Sequence, residues 1–414
     1  MEFRKNDYPI KKYKMKKISA LICGLLLVVS CAKNENIIKE IPFDFGSNNA
    51  EPNLVSENGK LALSWVKSIK GEEATLFYAQ LEKEQWATPI KITSGKDWFV
   101  NWADFPANAT NKDVLLTSHL KKSAKGTYTY DIVLNLRRLN GEIIKENFLL
   151  NTDGMKAEHG FVSVIPNDND GFLITWLDGR NTVGNMKEAH HKAMTIRTAE
   201  VSSGGKVFNE IELDGRTCDC CQTSIAATKN GAIVVYRDRS NMEIRDIYFS
   251  EKNKGNWSQP TPVFNDNWKI DGCPVNGPKV VATDKTIAVA WFTAANDNPT
   301  VKIAFSNSEK VKFKKPIVLN DFTAIGRVDV AFINKKEVLV SYMETANGET
   351  YLRAKKVSID GSVSKVFTIS KINSGRSTGV PQLEILNNTA YVVWTIFIDK
   401  KKQLKTVSFN LSDF

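Results

Sequence analysis

The chain has 414 residues, 42% of them apolar and 25% charged, enough to bury a large core as one big all-β domain or two smaller ones. Its formal net charge is +10, but residues 1–30 hold seven Lys/Arg against two acids, and the remainder carries 49 basic and 44 acidic residues, a net of +5. That mild excess, without a basic tract and without interleaved aromatic and basic residues, argues against nucleic acid as a partner.

The first segment reads as targeting signal. Met15-Lys16-Lys17 is a short positive region, Ile18 to Val29 is an apolar run, and Val28-Val29-Ser30-Cys31 ends it with a small residue before cysteine. A permanent membrane-spanning helix needs about 20 apolar residues, more than this run supplies. The segment resembles a bacterial lipoprotein signal, complete from Met15 onward. The resemblance implies cleavage before Cys31, acylation of the Cys31 thiol as an anchor in the lipid bilayer, and a polar tether from Ala32 to Glu40. Ala32 stands where an acidic residue would favour inner-membrane retention, so the expected address is the cell envelope, at the outer membrane. Outside the cytosol thiols pair or bind metal, which sets the terms for Cys218, Cys220, Cys221 and Cys273.

From residue 41 onward one pattern recurs. Strand-like runs end in a large residue at Trp65, His119, Trp176, Tyr236, Trp291, Tyr342 and Trp394, spaced by 54, 57, 60, 55, 51 and 52 residues. Each run is rich in β-branched or aromatic side chains, and several follow a polar turn such as Lys229-Asn230-Gly231, as a hairpin requires. A period near 50 with about four short strands per unit predicts a single β-propeller domain over residues 41–414. The repeat count gives seven blades, near residues 50–95, 97–151, 158–213, 218–265, 273–320, 326–370 and 376–410. Six blades require one run to be misassigned, and the run ending at His119 departs most from the pattern. The last blade lacks a fourth strand; Ile41 to Phe45 is the candidate to close the ring and remove its exposed edges.

In a propeller the loops before the inner strands and after the second strands meet on one face, so the repeat alignment becomes a map. Eighteen residues before each large residue stand Ser47, Asn101, Glu158, Cys218, Cys273, Ala324 and Arg376. Cys218 and Cys273 thus occupy equivalent places in adjacent blades, and Cys221 aligns with Asn276 and Arg327. Two readings of the four thiols follow: a pair of disulfides, one joining neighbouring blades, or a thiolate site for a soft ion such as zinc or copper. A redox-active thiol is the third. The same face gathers Arg180, Arg216, Arg237, Arg239, Arg327 and Arg376, with Asp178, Asp219, Asp238 and Glu158 among them. Such a set holds a carboxylate, sulfate or phosphate bidentately, or else each arginine ties a loop to a neighbouring acid. Gln222 and Asn276 join the expected ligand set, as does His159; His190 and His191 read as loop residues. Trp98, Trp102 and Trp268 read either as sugar-stacking rings or as wedges between blades.

A second register carries a resemblance. Trp86, Trp257 and Phe313 are each followed at the third position by proline, and Ser250 and Ser306 stand seven residues before the last two. This resembles the Asp-box repeats of sialidase-like propellers, in degenerate form: Lys252 and Ser308 replace the aspartate and Gly255 is one place late. Stretches such as Trp176-Leu-Asp-Gly-Arg180, Cys218-Asp-Cys-Cys-Gln-Thr223 and Tyr236-Arg-Asp-Arg239 are similar to bacterial lipoproteins described as sialidase-like or neuraminidase-repeat proteins. The resemblance implies the propeller and assigns no residue a catalytic role. The family's first-blade arginine is absent, Glu51-Pro-Asn-Leu54 standing in its place. Three functions are therefore expected: an enzyme acting on an anionic glycan, with Glu158, Asp219 or Asp238 as acid or base; a non-catalytic propeller binding a glycan or protein; and a metal or redox protein at the cysteines, the only reading that needs a cofactor.

Overall fold

The computed structural model describes residues 37–414 apart from 70, 72, 168, 169 and 184–191. The expected signal peptide, Cys31, most of the tether, and His190 and His191 lie outside the described residues. No described helix is long and apolar enough to cross a membrane.

Seven antiparallel sheets follow one another along the chain, one per repeat, so all seven runs found in the sequence mark real blades. In blade 3, for example, Phe172–Asp178 is flanked by His159–Pro166 and Met194–Val201, and Val207–Thr217 forms the outer edge. The second strands are the most deeply buried elements; Phe172–Asp178, Thr286–Thr293 and Gly231–Arg237 are buried at nearly every position. Both faces of these strands are covered by neighbouring blades, which explains their continuous apolar runs in place of alternation.

The recurring large residues are the wedges between blades. Trp65, Trp176, Tyr236, Trp291, Tyr342 and Trp394 are at most 1% exposed. Burying an indole or phenol demands a partner for its polar atom. Trp65 Nε1 donates to Asn49 Oδ1 at 2.9 Å, Trp176 Nε1 to Asp178 Oδ2 at 2.9 Å, Trp291 Nε1 to Asp266 Oδ2 at 2.7 Å and Tyr236 Oη to Asp214 Oδ2 at 2.7 Å. His119 keeps the pattern despite its chemistry: its buried ring stacks on Trp98 with centroids 4.1 Å apart, so the pair fills a wedge's volume. Burial and nearby Lys121 push the His119 imidazole down to about 3, so it sits in the core as a neutral ring.

The ring closes by the expected device at a shifted position. Lys39–Ile41 pairs with Lys401–Asn410 as the outer strand of blade 7, in the register Lys39↔Ser408, Glu40↔Val407 and Ile41↔Thr406. The strand therefore begins within the stretch expected as tether. Phe43 and Phe45, expected in that strand, instead close on Trp65 of blade 1, at 5.2 and 5.9 Å between centroids. N- and C-terminal segments share one sheet, and Ile41, 3% exposed, is its apolar anchor. Ile41→Asp places an unpaired carboxylate there and is expected to cost roughly 3 kcal/mol. Thermal unfolding of this variant beside Ile41→Val checks the closure.

All seven inner strands line a central channel, with a cavity of about 420 Å³ bordered by Glu57, Asn108, Lys279, Asp329 and Glu384 among others.

Candidate functional site

Cys218 to Gln222 precede the inner strand of blade 4, Ser224–Thr228. The Cys218 N–H donates to the Arg237 carbonyl at 3.0 Å, which fixes the loop against the end of the second strand. The turn that follows folds three sulfurs together: Cys218 Sγ lies 3.9 Å from Cys220 Sγ and 3.6 Å from Cys221 Sγ. Cys273 answers from the loop before blade 5, its thiol interacting with that of Cys220. All four are free thiols, so of the alternatives the sequence left open the pair of disulfides is not formed. The sulfurs of Cys220 and Cys221 stand 3.9 and 3.6 Å from Cys218 Sγ, against about 2.05 Å for an S–S bond. Thiol hydrogen bonds from Cys220 and Cys221 hold Cys218 well below the ordinary thiol range. Arg245 Nη1 donates to Cys218 Sγ at 3.2 Å.

The arginines sort into two groups, neither of them an open clamp. Arg237 and Arg327 are 2% and 7% exposed and bind main-chain carbonyls. Arg237 reaches those of Asn276, Arg245 and Phe292, and Arg327 those of Ser374, Gly375 and Gly379. Each guanidinium also faces a tryptophan, Arg237 over Trp268 at 4.9 Å and Arg327 over Trp102 at 4.8 Å. These contacts remove both arginines from the expected ligand set and make the tryptophans their partners. The second group is paired with acids. Arg180 Nη2 lies 2.7 Å from Asp178 Oδ2 and 2.8 Å from Glu210 Oε1. Arg239 bridges Glu243 at 2.9 Å and Asp219 at 3.2 Å, and Glu243 also receives Arg245 at 2.7 Å and Arg216 at 3.8 Å. Arg376 is exposed. Burial, and after it repulsion from Arg376, lower the Arg327 guanidinium to about 10.

Gln222 and Asn276, expected as ligand contacts, are braces between blades. Gln222 Nε2 donates to the Ala103 carbonyl at 2.7 Å and its Oε1 accepts from Gly277 N at 2.9 Å. A Cβ on residue 277 would stand 2.2 Å from the Gln222 carbonyl, so only glycine permits this approach. Asn276 Oδ1 accepts from Arg327 N at 2.7 Å while its amide donates to Ile325 O at 3.2 Å. His159 is fully buried, with Nδ1 3.1 Å from the Tyr130 carbonyl and Nε2 3.2 Å from Asp153 Oδ2 and 3.6 Å from Asp178 Oδ1. That places it between the Asp153 and Asp178 carboxylates, with ligand atoms of all three residues within 4.8 Å of one another.

The carboxyls divide as well. Asp238 stands with Asp214 and Asp246; burial, then repulsion from Asp214, pushes it up to about 7. Glu158 stands elsewhere, half-buried, at the start of blade 3, where Tyr130 Oη donates to its Oε1 at 2.7 Å. Tyr130 begins the third strand of blade 2, so the pair straddles the blade 2–3 boundary. Asp104 lies against both; its Oδ2 accepts from Phe161 N at 2.9 Å, and a Cβ at Gly160 would stand 2.2 Å from that oxygen. Burial pushes Glu158 up to about 7, with repulsion from Asp219 adding to it and the Tyr130 hydroxyl opposing it. Burial pushes Asp104 up to about 8, and repulsion from Glu158 acts in the same direction. The arrangement holds a proton-bearing carboxyl at neutral pH, hydrogen-bonded to a phenol and flanked by two further carboxyls.

The chain shares its fold with polysaccharide lyases. An ulvan lyase bound to -[GlcA(1-4)Rha3S]- superposes with a TM-score of 0.52 at 12% identity, covering 90% of this chain and 96% of that one. The polysaccharide lyase Uly1 gives 0.51 at 8% identity, covering 92% and 94%. The NanB sialidase from Streptococcus pneumoniae gives 0.47 at 13% identity, covering 92% and 71%. No protein-family model matches the chain, and no curated protein is similar to it in sequence.

Tyr130, Asp104, Arg245 and Glu243 complete the site and are not singled out by the sequence pattern. Tyr130 and Asp104 belong to blade 2, whose repeat register ends in His119, and nothing in the spacing aligns them with Glu158. Arg245 carries a usable signal: it lies in the same second-to-third-strand loop as Asp238 and Arg239, which the repeat alignment assigns to this face.

Proposed function

We propose that this propeller is a glycan-active enzyme in which Glu158 serves as the general acid. The 2.7 Å Tyr130–Glu158 hydrogen bond, on a carboxyl raised to about 7, carries the reading. A group whose affinity for a proton matches the working pH gives and regains it most effectively. Protonated Glu158 would donate to the glycosidic oxygen as the bond breaks, with Tyr130 fixing the carboxyl's rotamer. Asp219, on the adjoining blade and paired with Arg239, supplies the second carboxyl that such chemistry uses. The anionic-sugar part of the expectation draws no support from Arg180 and Arg239, which already hold acids, or from Arg237 and Arg327, which hold carbonyls; the exposed Arg376 is its remaining candidate. The substrate is therefore proposed as a glycan without a required carboxylate. The lipid anchor at Cys31 and the envelope address remain part of the proposal on the strength of the signal sequence alone.

The test is release of new chain ends from a panel of sialosides, neutral glycans and uronate polymers including ulvan. Activity should fall as pH rises through about 7, where Glu158 loses its proton. Tyr130→Phe removes a hydrogen bond that lowers this carboxyl, so the falling limb should move to higher pH while kcat drops at least about tenfold. An unmoved limb in Tyr130→Phe, or no product from any polymer, sinks the assignment.

A further inference from the structure

Four free cysteines on one face of a chain with a secretory signal need a chemical reason, and the acid–base site uses none of them. Cys218, Cys220 and Cys221 place their sulfurs within 4.8 Å of one another. Thiolates bind a metal at about 2.3 Å, which puts coordinated sulfurs about 3.8 Å apart around a tetrahedral ion and about 4.0 Å apart around a trigonal one. The separations from Cys218, 3.9 and 3.6 Å, already fit either shape. Cys273 approaches the Cys220 thiol from the neighbouring blade but stands outside the three-sulfur group itself.

We propose that Cys218, Cys220 and Cys221, with Cys273 available as a fourth donor, form a binding site for a closed-shell thiophilic metal ion, zinc(II) or copper(I). The surroundings support it independently of the sulfurs. Arg245, 3% exposed, aims Nη1 at Cys218 Sγ from 3.2 Å, the contact a cation makes with a metal-bound thiolate. Arg237 extends its charge to the same sulfur. A trithiolate copper(I) centre and a tetrathiolate zinc(II) centre both carry two negative charges, and these two guanidiniums offset them. Histidines take no part, which favours ions that accept sulfur alone. Binding exchanges thiol protons for the metal, with those protons passing to solvent and no change in oxidation state. With Cys273 as a ligand, the consequence for the fold is a cross-link between the loops before blades 4 and 5.

The experiment uses the full chain with Cys23 and Cys31 replaced by serine, reduced and handled without oxygen, titrated separately with zinc(II) and copper(I). One ion per chain should bind and protect Cys218, Cys220 and Cys221 from alkylation, and Cys273 as well where four sulfurs bind. Cys220→Ser, at the half-buried position least costly to folding, should abolish stoichiometric binding of either ion. Cys273→Ser separates them: loss of binding identifies zinc with four sulfurs, retention identifies copper(I) with three. Arg245→Lys should weaken affinity about 10- to 100-fold without altering stoichiometry. Absence of stoichiometric metal, or binding that survives Cys220→Ser together with Cys221→Ser, overturns the proposal.

Discussion

Glu158→Gln is expected to lower kcat on a cleaved glycan by about 10²- to 10⁴-fold, leave KM nearly unchanged, and raise stability at alkaline pH. Glutamine keeps the side-chain volume and an oxygen to accept from Tyr130 Oη, at 2.7 Å in the parent, so the blade 2–3 boundary is undisturbed. What it lacks is a proton to give. The stability effect follows from linkage. With the folded carboxyl near 7 against an ordinary 4.5, the native state holds a proton between those values that the unfolded chain has released. Stability contributed by the protonated form is thus full at the acid end of that window and lost as pH rises through about 7. Above that point wild type bears a half-buried carboxylate between Asp104 and Asp219, and the amide does not. A tenfold difference in proton affinity between folded and unfolded chains is worth about 1.4 kcal/mol; with the group's partial exposure, a gain of roughly 1–2 kcal/mol is expected at pH 8 and none at pH 4. Denaturant melts of both proteins at those two pH values, beside initial rates, check it. A binding propeller without catalysis would show the stability difference and no rate to lose.

The fold was legible because its periodicity is written in side chains that must be buried. Trp65, Trp176, Trp291 and Trp394 are wedges between blades, and any sheet ring needs one such residue per repeat. The closing strand was legible as a need, since six blades had four strands and the seventh three. Its register was not, because Ile41, Phe43 and Phe45 are all apolar, and either blade 7 or Trp65 can bury them. The thiols were legible as a group because Cys218 and Cys273 fall at equivalent repeat positions. Their unbonded state was not, since spacing places sulfurs in a neighbourhood without setting their distances. The arginines misled for a different reason. Alignment put Arg237 and Arg327 on the correct face, but whether a guanidinium there points outward or folds back to main-chain carbonyls depends on neighbouring blades 39 to 55 residues away in sequence. Tyr130 was invisible by the same logic, since its hydroxyl matters only through a contact across a blade boundary.

Arg237→Ala should be the most destabilising single change at this face, costing about 3–5 kcal/mol. The guanidinium makes four hydrogen bonds, Nε and Nη2 to Asn276 O at 3.2 and 2.8 Å, Nη1 to Arg245 O at 2.7 Å and Nη2 to Phe292 O at 2.8 Å. Those carbonyls belong to the loop before blade 5, the second-to-third-strand loop of blade 4 and the second strand of blade 5, so one side chain fastens three segments of two blades. Alanine removes the guanidinium from all three carbonyls, those of Arg245 and Phe292 at buried contacts, and opens a void beneath Trp268, whose ring faced the cation. Arg237→Lys should recover less than half of the loss, because one ammonium cannot reach three carbonyls lying in different directions around a planar fork. Arg239→Ala provides the contrast. It breaks partly solvated pairs with Glu243 and Asp219 and is expected to cost under about 1 kcal/mol. Urea unfolding of the three variants ranks them. Were Arg237 a ligand contact, its alanine variant would instead unfold with wild type and lose only glycan affinity, and the guanidinium would return to the binding surface from which its carbonyl contacts now remove it.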